Sequence, residues 1–290
     1  MACPICKNKN NIHSLYINDY EYDLNAVEEY LTCSSCNCIY RKKNISAKRE
    51  QLLYSKNVYK PVKGGNVYDF LKKINAYYEK IKILNHIFKE KIDKNISVLD
   101  IACGKGYLIE LLSKHNNLKC FGIDINVDNK KDNIQFIRAS YKDIEIIKNI
   151  NADTIILNNF IEHIEDLKYL YNIINTMKVS SNMVIITPDT ESKGRRFFKK
   201  CWSGYHSPRH KILFNKSNIL KAFNNVKGVN LKAYRIYDPF TNLISIINIY
   251  KELRINFSII ILLKLIISPI FIFIDILKKN RILMIIEKIK

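Results

Sequence analysis

Apolar and polar positions along the middle of the chain follow two rhythms. Short runs rich in Ile, Val and Leu, at Ser97–Ile101, Lys119–Ile123, Ile134–Arg138, Thr154–Leu157 and Met183–Ile186, have the length and β-branched content of buried strands. Between them, Leu108–Ser113 and Leu167–Met177 space their apolar residues by three and four, the period of a helix with one buried face. This alternation predicts an α/β fold with a mostly parallel sheet wrapped by helices and ligands at the carboxyl ends of the strands. A longer helical pattern from about Val67 to Glu90 places Phe70, Ile74, Tyr77, Tyr78, Ile81 and Leu84 on one face, expected to be buried.

The first of these strands runs into a tight turn, Asp100-Ile-Ala102-Cys-Gly104-Lys-Gly106, and then into an amphipathic run. Gly104 and Gly106 would let a ligand approach the main chain without meeting a Cβ. Asp124 closes the next strand, at about the spacing from which a carboxylate accepts hydrogen bonds from a ribose. A dinucleotide fold would want G-x-G-x-x-G, and the third glycine is missing. The acid before the turn points elsewhere: the stretch resembles motif I of class I S-adenosylmethionine-dependent methyltransferases, D-x-G-x-G-x-G. Ala102 stands at the first glycine, read as the least demanding of the three.

The resemblance extends further. Ile134–Asp143 sits where these enzymes carry a strand ending in an acid that meets the adenine, with Ser140 in the acid's place and Tyr141 backbone groups as substitutes. The segment from Ala152 through Asn158 to Glu162-His163-Ile-Glu-Asp166 is similar to the family's fourth strand and the Glu-His turn after it. Tyr205–Phe214, with Arg209-His210, resembles the segment that closes over the substrate in the branch acting on small molecules and sugars. Lys232–Tyr237 and Arg281–Glu287 resemble the sixth and seventh strands, an antiparallel pair ending a Rossmann-like sheet. The resemblance implies S-adenosylmethionine as cofactor, held by Asp100, Ala102, Gly104, Gly106, Asp124, Ser140, Tyr141 and Asn158.

At the acceptor site the pattern is mainly one of exclusion. No Asn/Asp-Pro-Pro-Tyr turn of amine-directed enzymes follows the fourth strand, and no cleft cysteine offers the nucleophile that cytosine methylation needs. An O-methyl transfer remains, with His163 first and His210 second as base and Glu162 holding the turn. A histidine near neutral pKa suits proton removal, although His163 could also merely cap the helix that follows it.

The eight cysteines change the picture at the N-terminus. Cys3-x-x-Cys6 and Cys33-x-x-Cys36 have the ligand pattern of a four-cysteine structural zinc site, closed and therefore without catalytic role. Residues 1–45 are read as this zinc ribbon, 46–65 as a lysine-rich linker and 66–290 as the methyltransferase domain. Cys38, Cys103, Cys120 and Cys201 are left as buried or incidental thiols. No signal peptide precedes the cysteines, and a reducing cytoplasm is expected.

Net charge is +20 with a pI near 9.5, which favours an anionic partner or a broadly solvated basic surface. The basic run Lys193–Lys200 would attract an acceptor phosphate. Phe257–Ile274 is nearly long enough to cross a bilayer but carries Lys264 and Pro269. Since a sheet strand follows, the region 241–279 is read as a hydrophobic helical insertion, packed on the domain or in the membrane interface, flanked by Lys278, Lys279 and Arg281.

Three function classes follow. The leading one is methylation of a small-molecule or glycan-type acceptor, phosphorylated or lipid-linked, such as a nucleotide sugar or surface polysaccharide, at the cytoplasmic face of the membrane. An RNA methyltransferase with a zinc module is the alternative, weakened by the greasy insertion. The third is an inactive zinc-ribbon adaptor, against which the intact glycine loop speaks.

Overall fold

A seven-stranded sheet forms the centre of the computed structural model, which describes residues 2–20, 26–43, 46–54, 73–74, 76–83, 95–115, 117–127, 133–255 and 257–290. Its strands are β4 (Ile96–Ile101), β5 (Leu118–Asp124), β6 (Ile134–Arg138), β7 (Thr154–Asn158), β8 (Asn182–Pro188), β10 (Val229–Ile236) and β11 (Arg281–Lys288). They lie in the order β10-β11-β8-β7-β4-β5-β6, with β11 antiparallel to both neighbours and the other pairs parallel. The expected α/β class, with one antiparallel final strand, is therefore the fold. Helices α2 (Tyr107–Leu112), α3 (Ile144–Ile150) and α4 (Lys168–Thr176) provide crossovers, and α6 (Lys216–Phe223) leads to β10. Period-two alternation divides the sheet between two cores: Leu99 and Ile101 of β4 join one cluster, Val98 the other.

The helical stretch 76–83 turns a different face inward from the one its apolar pattern suggested. Ala76, Glu79 and Ile83 are buried, whereas Ile74, Tyr77, Tyr78 and Ile81 are at least two-fifths exposed. Phe70 and Leu84 lie outside the described residues. Polar bonding explains the rotation: Glu79 forms a 2.8 Å ion pair with Arg281 and accepts a 2.7 Å hydrogen bond from Asn158 Nδ2. Arg281 also lies 3.6 Å from Asp238 and donates to Asn159 Oδ1. It is buried, and so does not flank a membrane segment as its sequence position had suggested.

A second, antiparallel sheet is made by β1 (Asn11–Asn18), β2 (Val27–Cys33), β3 (Ile39–Arg41) and β9 (Ile212–Leu213). Its last strand comes from the middle of the chain: Ile39 pairs with Leu213 and Tyr40 with Ile212. The N-terminal module is thus stitched into the larger domain, and Cys3, Leu31 and Tyr40 share a core with Leu99 and Phe214. The segment read as a linker begins with a helix, α1 (Ala47–Tyr54), tied back to β2 by a 2.7 Å Arg49–Glu28 ion pair; residues 55–65 lie outside the described residues.

Between β10 and β11, in the region read as a hydrophobic helical insertion, the chain forms two helices, α7 (Pro239–Ile255) and α8 (Ile259–Lys278). The buried face of α7 is polar: Thr241, Ser245, Asn248 and Glu252 recur at helical spacing. Ser245 Oγ accepts from Ser203 N, Asn248 Nδ2 donates to Cys201 O, and Glu252 binds Lys200 and Tyr20. Ile261 and Leu265 of α8 pack against the Trp202 cluster, leaving Ile259, Leu263, Ile266 and Ile270 exposed. Among the described residues no helix is long and apolar enough to cross a membrane.

Arg281→Met would leave the Glu79 and Asp238 carboxylates buried without their cation, at a cost of about 3–5 kcal/mol. Urea denaturation should record that loss, and Glu79→Met on the same background should recover part of it.

Candidate active site

Beyond β4 the chain turns sharply, with Ala102 at φ 59°, Gly104 at 56° and Gly106 at 73° before α2 begins. The first position of the turn is therefore not undemanding. Ala102 holds left-handed backbone, which costs a non-glycine residue roughly 1–2 kcal/mol. A Cβ on Gly106 would lie 2.7 Å from the Phe136 ring, and one on Gly122 2.8 Å from it. Above Gly104 a Cβ would meet nothing within 4 Å, so the loop offers open space over bare backbone. Asp124 fixes that backbone, accepting from Gly104 N at 2.9 Å and Asn126 N at 2.8 Å.

Acidic groups crowd this end of the sheet. Asp100 is buried, and burial, then Glu79 and Asp124, push its carboxyl well above the usual range. Burial raises Glu79 as well, against the pull of Arg281. Such a concentration of negative charge in low dielectric fits a cationic ligand. Asn158 acts on this cluster by binding Glu79.

At the end of β6, Ser140 does not present a free side chain in place of an acid. Its N–H donates to Asp143 Oδ2 at 2.7 Å, and its hydroxyl accepts from Lys142 N. The aromatic ring of Tyr141 is the more prominent feature, packed edge-on against Phe160 and Tyr169 at 5.1 and 5.7 Å.

Glu162, His163 and His210 come together after β7. Glu162 is fully buried, accepting from Thr187 Oγ1 at 2.8 Å, while its other oxygen has no hydrogen-bond partner and lies 3.8 Å from His210 Nε2. The His163 and His210 rings meet edge-on at 4.6 Å, with His206 packed against both. Burial drives both imidazole pKa values well below the ordinary range, helped by neighbouring histidines and Arg209, and raises Glu162 to about 7.

The turn carrying His206 and His210 is held from the N-terminal module. Tyr30 donates to His210 O at 2.9 Å, Arg41 N to Lys211 O at 2.9 Å, and the Arg41 guanidinium to Pro208 O. Lys211 N in turn donates to Glu162 O at 2.7 Å. The basic run Lys193–Lys200 is partly committed to structure: Arg195 binds Thr190 O and Tyr205, and Lys200 pairs with Glu252.

In the N-terminal module the sulfurs of Cys3, Cys6, Cys33 and Cys36 all lie within 4.8 Å of one another, with Cys3–Cys36 at 3.6 Å and Cys6–Cys33 at 3.4 Å. Tetrahedral zinc with bonds of about 2.3 Å needs sulfurs about 3.8 Å apart, so the cage fits one. Cys38 stays outside it, its thiol directed to the Leu213 and Ile39 carbonyls, while its hydrogen bond to Cys3 holds that thiol near 4.

The family profile described as a methyltransferase domain matches residues 72–226, just over half the chain and the whole glycine turn and Glu-His segment. The chain belongs to the methyltransferase domain family. It is an enzyme, an S-adenosylmethionine-dependent methyltransferase. No curated protein matches its sequence significantly. Solved structures share the fold at low identity. The plantazolicin methyltransferase BamL is 16% identical over 75% of this chain and 86% of its own, with a TM-score of 0.50. Phosphoethanolamine N-methyltransferase 2 of Haemonchus contortus is 14% identical over 87% of this chain and 62% of its own, at 0.50. The cyclase SpnF, at 8% identity, covers 73% of this chain and 81% of its own, also at 0.50. A cyclase among them shows that the fold alone does not fix the chemistry.

Sequence reading missed Glu79, His206, Thr187 and Arg281. His206 stands four residues before His210 inside a recognised segment; the other three carry no local motif.

In a methyltransferase the cationic ligand is the sulfonium cofactor. Because Asp100 must be ionised to attract it, affinity should be highest above the raised Asp100 pKa and fall as pH drops through it, earlier than an ordinary carboxylate would give. Calorimetry across pH should show that fall. Asp100→Asn should flatten much of it and weaken binding about 10- to 100-fold, the scale of a charge-assisted bond.

Proposed function

We propose that this methyltransferase transfers a methyl group to an oxygen of a small-molecule or glycan-type acceptor, with Glu162, His163 and His210 at the acceptor end and a structural Zn2+ on Cys3, Cys6, Cys33 and Cys36. The observation that carries the reading is the Glu162–His163–His210 cluster, with Glu162 and His210 buried and His163 half-buried, set beside the end of β7 and held by the turn that the N-terminal module anchors.

Bound S-adenosylmethionine supplies a methyl group on a sulfonium that is already a strong electrophile. What remains for the protein is alignment and removal of one proton. Gly104 and Asp124 would hold the cofactor, and Asp100 with Glu79 would balance its positive charge. The imidazoles are neutral and weakly basic, and Glu162 Oε1 lies 3.8 Å from His210 Nε2, so passing a proton onward requires that pair to close to hydrogen-bond distance.

Labelled S-adenosylmethionine, incubated with purified protein and cell extract, should place its label in a solvent-extractable lipid fraction or in soluble sugars and polysaccharide. Label in RNA, or no label in the lipid, sugar and polysaccharide fractions, would overturn the acceptor assignment. His163→Ala should lose the incorporation while binding S-adenosylmethionine normally; unchanged incorporation would remove His163 from the chemistry.

A peripheral membrane location at the cytoplasmic face agrees with a lipid-linked acceptor. Its support is the stripe Ile259, Leu263, Ile266 and Ile270, spaced along one exposed face of α8, with Lys264 half-exposed beside it. Leu263→Glu with Ile266→Glu should move the protein from the membrane fraction to the supernatant of a lysate, at unchanged affinity for S-adenosylmethionine.

A further inference from the structure

The acceptor-end cluster has a feature that a proton relay does not require. Both histidines turn their Nδ1 atoms toward backbone carbonyls, His163 to Arg209 O at 3.3 Å and His210 to Gly204 O at 2.8 Å. A carbonyl only accepts, so each Nδ1 carries the proton and each Nε2 the lone pair. Glu162 is arranged in the same way: Thr187 donates to one oxygen, and the other, fully buried, lacks a hydrogen-bond partner. One ligand atom from each of the three residues lies within 4.8 Å of the others.

Histidines that bind metals characteristically donate their second ring nitrogen to a carbonyl or carboxylate, and carboxylate ligands are themselves hydrogen-bonded. We propose that Glu162, His163 and His210 form a second metal site, distinct from the four-cysteine centre, which takes a divalent transition-metal cation such as Zn2+. Two imidazoles and a carboxylate are a common donor set for that cation with one position left open. Bonds of about 2.0–2.2 Å place neighbouring ligand atoms about 3.3 Å apart, so the 3.8 Å Glu162–His210 separation has to close by about half an ångström. The cation would satisfy the orphan oxygen of Glu162.

This inference rests on the reading that the acceptor oxygen enters here. At the open position the cation binds that oxygen and lowers its hydroxyl pKa. With their lone pairs on the cation the three residues no longer take the proton themselves; it leaves to solvent, the new C–O bond forms as the methyl C–S bond breaks, and S-adenosylhomocysteine is released. The preferred acceptors are then hydroxyl compounds that can ligate a metal.

Metal content answers the question without knowledge of the acceptor. The full-length protein, loaded with Co2+ and dialysed, should hold one cation with thiolate charge-transfer absorption and one without it. Glu162→Gln with His210→Ala should lose only the second, leaving thiolate absorption and S-adenosylmethionine affinity intact. Thr187→Val, which keeps the shape but removes the supporting hydroxyl, should weaken the second site by about 10- to 100-fold. Cobalt that is entirely thiolate-bound in the wild-type protein overturns the proposal, as does a double variant that keeps the full complement. Two cations together with label in RNA would sustain the metal site and overturn the acceptor reading; thiolate-bound cobalt alone with label in glycan would do the reverse.

Discussion

Arg281 is the charge on which the carboxyl edge of the central sheet depends. It is the first residue of β11, which runs antiparallel to both its neighbours, so its guanidinium sits where the parallel strands end. From there it binds Glu79, approaches Asp238 and reaches Asn159 after β7. One side chain thereby fixes the helical stretch 76–83, the exit of β7 and the return from the two-helix insertion. A buried cation with three polar partners adds less net stability than its contacts suggest, because its desolvation is costly. Its value lies in specifying one arrangement: without it, Glu79 would have no reason to sit close enough to Asp100 to raise its pKa.

A second constraint runs through the N-terminal module. Because β9 completes the small sheet, the turn bearing His206 and His210 is anchored by strand pairing on one side and by the polar face of α7 on the other. A short loop over a cleft would ordinarily be mobile; this one inherits the rigidity of the sheet it completes. The four cysteines therefore bear on this turn through position alone.

The fold was legible in the sequence to the extent that it depends on local periodicity and on one turn. The strands announced themselves as apolar runs, and Asp100 to Gly106 marked the ligand end, because these features act over a few neighbouring residues. The rest was hidden because it is long-range. Glu79 looked like one more charge on a helix whose aromatic residues promised the buried face; its partners lie 79 and 202 residues away. Likewise, α7 buries Thr241, Ser245, Asn248 and Glu252, a pattern that reads as a solvent face until the loop carbonyls and amides it satisfies are known. Ala102 misled for a different reason: residue type indicates what a position tolerates, and here a strained conformation is imposed by the turn on either side.

The two halves of the site are built on opposite electrostatic terms, and that difference bears on direction. At the cofactor end, carboxylates held against their own repulsion favour a cation and lose that match when the sulfonium becomes a neutral thioether. At the proposed acceptor end, burial, the neighbouring histidines and Arg209 keep the imidazoles neutral, and one Glu162 oxygen is left without a hydrogen-bond partner. Transfer of the methyl group moves positive charge from the first environment toward the second, where the acceptor must shed a proton. The preorganised charges that bind the reactant cofactor therefore do not hold the product equally well.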